Sequence, residues 1–112
     1  MSHASTMDLS TALARLGNDA ELLEELIQIF REDAPVLMQK IRGAAEDGDF
    51  EEARRAAHTL KGLSANLDAH GVVAAAQTVE SETTVTLAAM EPLVKTLDIE
   101  LSKGFDELAQ RA

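Results

Sequence analysis

The segment that decides the fold is residues 19–46, which read DAELLEELIQIFREDAPVLMQKIRGAAE. Apolar residues recur along it at steps of three and four, as they do on the buried side of an amphipathic helix. Pro35 lies inside this stripe, and because proline removes a backbone donor and clashes with the preceding turn, we expect a kink there. The segment predicts one long helix with a single apolar face, formed by Leu23, Leu26, Ile27, Phe30, Ala34, Leu37, Ile41 and Ala44.

The same spacing predicts helices on both sides of this segment. A short helix is expected at about 8–16, and longer ones at about 50–67, 69–82 and 86–109. Pro92 either lies in the first turn of the last helix or moves its start to about Met90. Polar residues suited to helix caps precede three of the helices: Asn18 or Asp19 with Glu21, Asp49 with Glu52, and Asp68.

No segment alternates between polar and apolar residues, so no strand is predicted. Four amphipathic helices joined by short loops pack most simply as an antiparallel bundle. The sequence therefore predicts an all-α fold: an antiparallel up-down-up-down four-helix bundle with a short extra N-terminal helix across one end. We expect residues 1–7 to be a disordered leader and residues 8–112 to be a single domain.

The composition narrows the class of protein. The chain has 112 residues, of which 46% are hydrophobic and 3% aromatic, and its formal net charge is −10. This negative charge disfavours nucleic acid and anionic membranes as partners. There is no Cys, and no apolar run approaches the ~20 residues of a membrane span. Disulfides and membrane insertion are therefore excluded, and we expect a cytoplasmic protein.

One stretch of the third predicted helix stands out, AAHTLKG at residues 56–62. His58 follows a core position and lies about 100° from the apolar stripe, at its border. Arg54 and Arg55 lie one turn before it, and Lys61 and Gly62 one turn after. A cluster of cations in an acidic protein suits a phosphate group. Gly62 costs about 1 kcal/mol relative to Ala in a helix interior, and close approach by a helix, ligand or partner would explain why it is there.

Each of these features also has a plainer interpretation. His58 can be an ordinary half-buried side chain. The cations can form a solvated face with acidic neighbours such as Glu51 and Glu52, and Gly62 can serve close helix packing. Composition and spacing leave the two interpretations about even.

The run from His58 to Gly62, followed by Ser64, Ala65 and Leu67, resembles the signature of the histidine phosphotransfer (HPt) family. The order of the predicted helices is similar as well. The resemblance implies a phosphocarrier that accepts a phosphoryl group on His58 from a phospho-aspartate of a receiver domain and passes it to another receiver. The chain departs from the family at Asp68, where a Gly in the turn between two helices is usual.

The resemblance also implies roles for the neighbours of His58. Lys61 would hydrogen-bond the phosphoryl oxygens. Glu80, on the following helix, would orient the imidazole, with Gln77 as the alternative. The partner-facing positions would be Arg54, Arg55, Gly62 and Ala65.

No cofactor is expected on this chain, because Mg²⁺ would belong to the partner receiver. The sequence has no P-loop and no kinase Gly-rich loop, so we expect a carrier and not an enzyme that phosphorylates itself from ATP. The expected partners are receiver domains of response regulators, a hybrid sensor histidine kinase, or both, and we expect a monomer. Whether the domain is free-standing or excised from a kinase stays open, and the alternative function is a phosphate-independent docking domain.

Overall fold

The computed structural model describes residues 5–111, which form five helices and no strand. The all-α class is confirmed, and each predicted helix is present within one or two residues of its expected bounds. No helix among the described residues is long and apolar enough to cross a membrane. The helices are α1 (Leu9–Arg15), α2 (Ala20–Glu46), α3 (Phe50–Ala65), α4 (His70–Ser81) and α5 (Leu87–Gln110).

The four long helices surround one core. α3 packs against α2 and α4, and α5 packs against α4 and α2, while α1 contacts α2. Apolar side chains at helical spacing fill the centre, where the rings of Phe30 and Phe105 lie with their centroids 5.4 Å apart. This arrangement sets α3 and α4 side by side, and the up-and-down direction of successive helices stays a prediction.

Aspartate and threonine side chains cap the N-termini of four helices. Asp8, Asp19, Asp49 and Thr86 each accept a hydrogen bond from a backbone N–H in the first turn. Such caps satisfy donors that would otherwise lack a partner. The prediction that Asn18 opens a capping box is wrong, because its φ of 63° places it in a left-handed turn just before the cap.

Prolines interrupt neither long helix. α2 is continuous through Pro35, and the kink expected there stays a prediction. α5 begins at Leu87, so Pro92 lies in its second turn, and both alternatives, a place in the first turn and a start at Met90, are wrong. Thr86 provides the cap that fixes this earlier start, because its hydroxyl accepts from the N–H of Ala89.

The turn between α3 and α4 is built around Asp68. The prediction that Asp68 caps α4 is wrong, because its φ is 48° and its carboxylate points to α1. There Arg15 donates to Asp68 Oδ2 over 2.6 Å and to the carbonyl of Ala65 over 3.0 Å. A left-handed conformation costs most side chains energy and therefore favours Gly at this position. Asp68 adopts it here and forms the ion pair with Arg15, which a glycine could not make.

Residues 5–7 belong to the bundle. Thr6 and Met7 are buried, and Glu107 accepts hydrogen bonds from the N–H groups of both. The carbonyl of Thr6 accepts from the N–H of Gly71, at the start of α4, where no side chain serves as a cap. The predicted leader is therefore wrong for these three residues, and its first four lie outside the described part of the chain.

Candidate phosphotransfer site

His58 lies on the face of α3 that borders α4. Its side chain is 67% exposed, and its Nδ1 lies 2.5 Å from Oε2 of Glu80 on α4. Because a carboxylate can only accept here, the contact assigns the ring proton to Nδ1. Nε2 then carries a lone pair on an exposed edge of the ring.

Glu80 also binds Lys61. The ammonium group of Lys61 lies 2.5 Å from Glu80 Oε1, so one carboxylate joins the imidazole to the cation. The hydrogen bond from Lys61 holds the pKa of Glu80 below its usual value, with a smaller contribution from His58, while desolvation opposes the shift. Glu80 therefore stays ionised at neutral pH and into the acid range.

Gln77 contacts the cation and not the ring. Its Oε1 accepts a hydrogen bond from Lys61 over 2.8 Å, and its Nε2 donates to Ser81 over 2.7 Å. Of the two residues predicted to orient the imidazole, the structure places Glu80 on His58. Ser81 was not anticipated, although its i+4 spacing from Gln77 on one helix face is the signal that would have indicated it.

The two arginines are engaged by groups other than the imidazole. Arg54 donates to the carbonyl of Glu82, at the end of α4, over 3.1 Å. Arg55 is exposed and pairs with Glu52 at 2.6 Å. Arg54 therefore ties α3 to α4, and Arg55 fits the interpretation of a solvated face, since its charge is already balanced.

Gly62 and Ala65 lie on the outer face of α3. A Cβ built on Gly62 would meet no atom within 4 Å beyond the adjoining backbone of its own helix, so the interpretation that this glycine serves close helix packing is wrong. Ala65 is exposed, and its carbonyl accepts hydrogen bonds from Arg15 and from the N–H of Asp68. Small residues thus leave the surface beside the imidazole open to another molecule.

An exposed histidine on a bundle helix, with one nitrogen held by a carboxylate and a lysine beside it, is the arrangement expected of a phosphotransfer module. The sequence model of the Hpt domain matches residues 25–111, from within α2 to the end of α5, and includes His58. The chain belongs to the Hpt domain family. Hpt domains are phosphocarrier modules that exchange phosphoryl groups with receiver domains in two-component phosphorelays. Neither the curated proteins nor the solved structures contain a match.

Proposed function

We propose that this domain carries a phosphoryl group on Nε2 of His58, which it accepts from the phospho-aspartate of one receiver domain and passes to another. One observation carries the proposal: the ring is exposed, and its Nδ1 is held by Glu80 at 2.5 Å, so that Nε2 presents its lone pair outwards. Neutral imidazole in this tautomer is a nucleophile near neutral pH.

The transfer needs alignment and charge compensation more than covalent assistance. Nε2 forms a bond to phosphorus as the bond from phosphorus to the aspartate oxygen breaks, and the carboxylate leaves. Lys61, three residues after His58, has a long stem, and its ammonium is 2.5 Å from Glu80. It can turn from Glu80 towards the incoming oxygens, where its positive charge stabilises the transferred group.

The partner would dock on the open face of α3 and on the adjacent side of α2. Ion pairs of Glu24 with Arg111 and of Arg42 with Asp98 attach one flank of α2 to α5 and to the residue that follows it. Away from that flank, Leu22, Ile29 and Val36 follow one another at steps of seven and are 37%, 42% and 61% exposed. These three residues, here called the apolar stripe of α2, extend the open surface around Gly62 and suit an apolar patch on a receiver.

The remaining parts of the proposal follow from this role. Receiver domains of response regulators, a hybrid sensor kinase, or both would supply the aspartate and the Mg²⁺, and the carrier itself would need no cofactor. We propose that it works as a monomer in the cytoplasm, where receivers are found, without kinase activity of its own.

The experiment is phosphorylation by a labelled phospho-receiver, or by a receiver-bearing kinase with ATP. We expect label on the wild type that is lost in acid and stable in base, and none on His58→Gln. His70→Gln is the matched control, because His70 is equally exposed and lies outside the site. Retained label on His58→Gln would overturn the assignment, and absence of both label and receiver binding would favour a phosphate-independent docking domain.

A further inference from the structure

The carboxylate of Glu80 binds two groups, the imidazole of His58 and the ammonium of Lys61, and phosphorylation of His58 changes the charges around both. In the unphosphorylated protein its two oxygens serve His58 Nδ1 and Lys61, both at 2.5 Å. Lys61 and Glu80 are opposite charges beside the same ring, so their effects on the imidazole partly offset each other. A phosphoryl group on Nε2 adds a strong negative charge that competes with Glu80 for the ammonium of Lys61.

We propose that Glu80 holds the proton on Nδ1 of phosphorylated His58 near neutral pH, so that the ring becomes neutral imidazole when the phosphoryl group departs. This inference rests on the proposed function and extends it from acceptance of the phosphoryl group to its release. As Lys61 turns towards the phosphoryl oxygens, the full charge of Glu80 is left facing the Nδ1–H.

The proton on Nδ1 determines whether the ring leaves as neutral imidazole or as imidazolate. When neutral His58 attacks through Nε2, the product has phosphorus on Nε2 and hydrogen on Nδ1, and its ring is cationic. In the return step the P–Nε2 bond breaks, its electron pair returns to Nε2, and phosphorus bonds to the aspartate oxygen of the receiver. If Nδ1 keeps its proton throughout, neutral imidazole leaves; if it has lost the proton, an imidazolate must leave, which is far slower.

The charged groups around the ring are few. Among the described residues, Glu80 of α4 is the one that forms a hydrogen bond or ion pair with it, and on α3 the ammonium of Lys61 binds the same carboxylate. Arg54 and Arg55, one turn earlier, are engaged by the Glu82 carbonyl and by the Glu52 carboxylate. On α2, the other helix packed against α3, no described side chain forms a hydrogen bond or ion pair with the ring. Glu80 is therefore the group placed to control this proton.

The test uses the full chain phosphorylated by phosphoramidate, a small donor that needs no receiver. With ¹⁵N-labelled histidine, NMR follows the protonation of Nδ1 in phosphorylated His58 as pH rises. Since an opposite charge in contact moves such a midpoint by about 1–3 on the pH scale, we expect Glu80→Gln to lower it by at least about one pH unit. Glu51→Gln is the matched control, because Glu51 is exposed on the same face of α3, two turns before His58, and should leave the midpoint unchanged.

A second readout is transfer from the phosphorylated protein to a receiver. Above both midpoints the rate follows the protonated fraction, so Glu80→Gln should transfer about tenfold more slowly for each pH unit by which its midpoint falls. Lys61→Ala should not lower the midpoint, because it removes a cation. An equal midpoint in Glu80→Gln and wild type, or an equal fall in Glu51→Gln, would overturn the inference. Normal midpoints without transfer to any receiver would instead overturn the proposed function.

Discussion

At the scale of single residues, the site is a chain of hydrogen bonds from His58 through Glu80 to Lys61 and Gln77. Each link is a contact between α3 and α4, so the site is as rigid as the packing of these two helices. The low pKa of Glu80 means that its interactions contribute stability above its unfolded value of about 4.5 and are lost only as pH falls below that value.

In the proposed function Lys61 acts on the transferred group, while Glu80 holds the nucleophile. We expect Lys61→Ala to slow phosphorylation by a receiver about tenfold or more without preventing it, since one charge-assisted hydrogen bond contributes roughly 1.5–3 kcal/mol. Lys95→Ala, an exposed lysine on α5, is the control. Single-turnover kinetics measure the effect, and an unchanged rate would make Lys61 a surface cation.

Substitutions at Gly62 should affect stability and receiver docking differently. Because an added Cβ meets no atom there, Gly62→Ala should raise the free energy of unfolding by up to about 1 kcal/mol through helix propensity. Gly62→Leu should also fold, yet slow transfer from a receiver while labelling by phosphoramidate continues. Denaturant unfolding and the two labelling reactions test this, and normal transfer with Gly62→Leu would remove Gly62 from the docking surface.

At the scale of elements, the apolar stripe of α2 is the exposed counterpart of its buried face. We expect Ile29→Ser to weaken receiver binding and transfer by about tenfold, with little change in stability because the side chain is 42% exposed. Ile99→Ser is the matched control, since Ile99 is 53% exposed on α5. Equal effects of the two substitutions on receiver binding, measured by titration calorimetry, would contradict this docking surface.

The turn between α3 and α4 makes a second element-scale prediction. Asp68 adopts a left-handed conformation and is held by Arg15, so the two residues form a coupled pair. Arg15→Ala should cost about 1 kcal/mol, because it breaks a half-exposed ion pair and removes one of the two hydrogen bonds that the carbonyl of Ala65 accepts there, the other coming from the N–H of Asp68. The same substitution should cost less in an Asp68→Gly background, where glycine needs no compensation. Chemical denaturation of the wild type, the two single variants and the double variant gives the coupling free energy between the two positions. If Arg15→Ala cost the same in both backgrounds, the ion pair would not compensate for the left-handed turn.

The features that could be predicted from the sequence are those that depend on the spacing of nearby residues. The five helices follow from apolar periodicity, and the approach of Glu80 to His58 follows from two neighbouring helices joined by a short turn. It did not predict contacts between distant residues: Arg15 and Asp68 are 53 positions apart, and Thr6 and Glu107 are 101 apart. No local pattern marks such pairs, so the cap of α4 was assigned to the nearest suitable side chain, Asp68, instead of to the carbonyl of Thr6.

At the scale of the whole molecule, residues 5–7 connect the beginning of the chain to its last helix. Glu107 accepts from Ser5 Oγ and from the N–H groups of Thr6 and Met7, while Thr6 Oγ1 donates to Glu100. This segment lies where α4 begins and α5 ends, and Met7 packs beside Gly104, where a side chain would crowd it. The segment stabilises the junction of two helices that carry none of their own capping side chains there.

A shortened chain that begins at residue 8 should therefore still fold, but it should unfold at a lower temperature than the full chain. It loses the buried Met7, the carbonyl that caps α4 and the partners of Glu107, so we expect a loss of about 2 kcal/mol and a Tm lower by ~8 °C. Glu107→Ala should lower the Tm of the full chain yet change little in the shortened one, because its partners are already gone. Asp106→Ala, exposed and without such partners, serves as the control.

Phosphoramidate should still label His58 in the shortened chain, since the site lies between α3 and α4 away from this junction. Thermal unfolding followed by circular dichroism decides the question: an unchanged Tm would mean that residues 5–7 only rest on the bundle, whereas loss of labelling in a folded chain would show that they also shape the site.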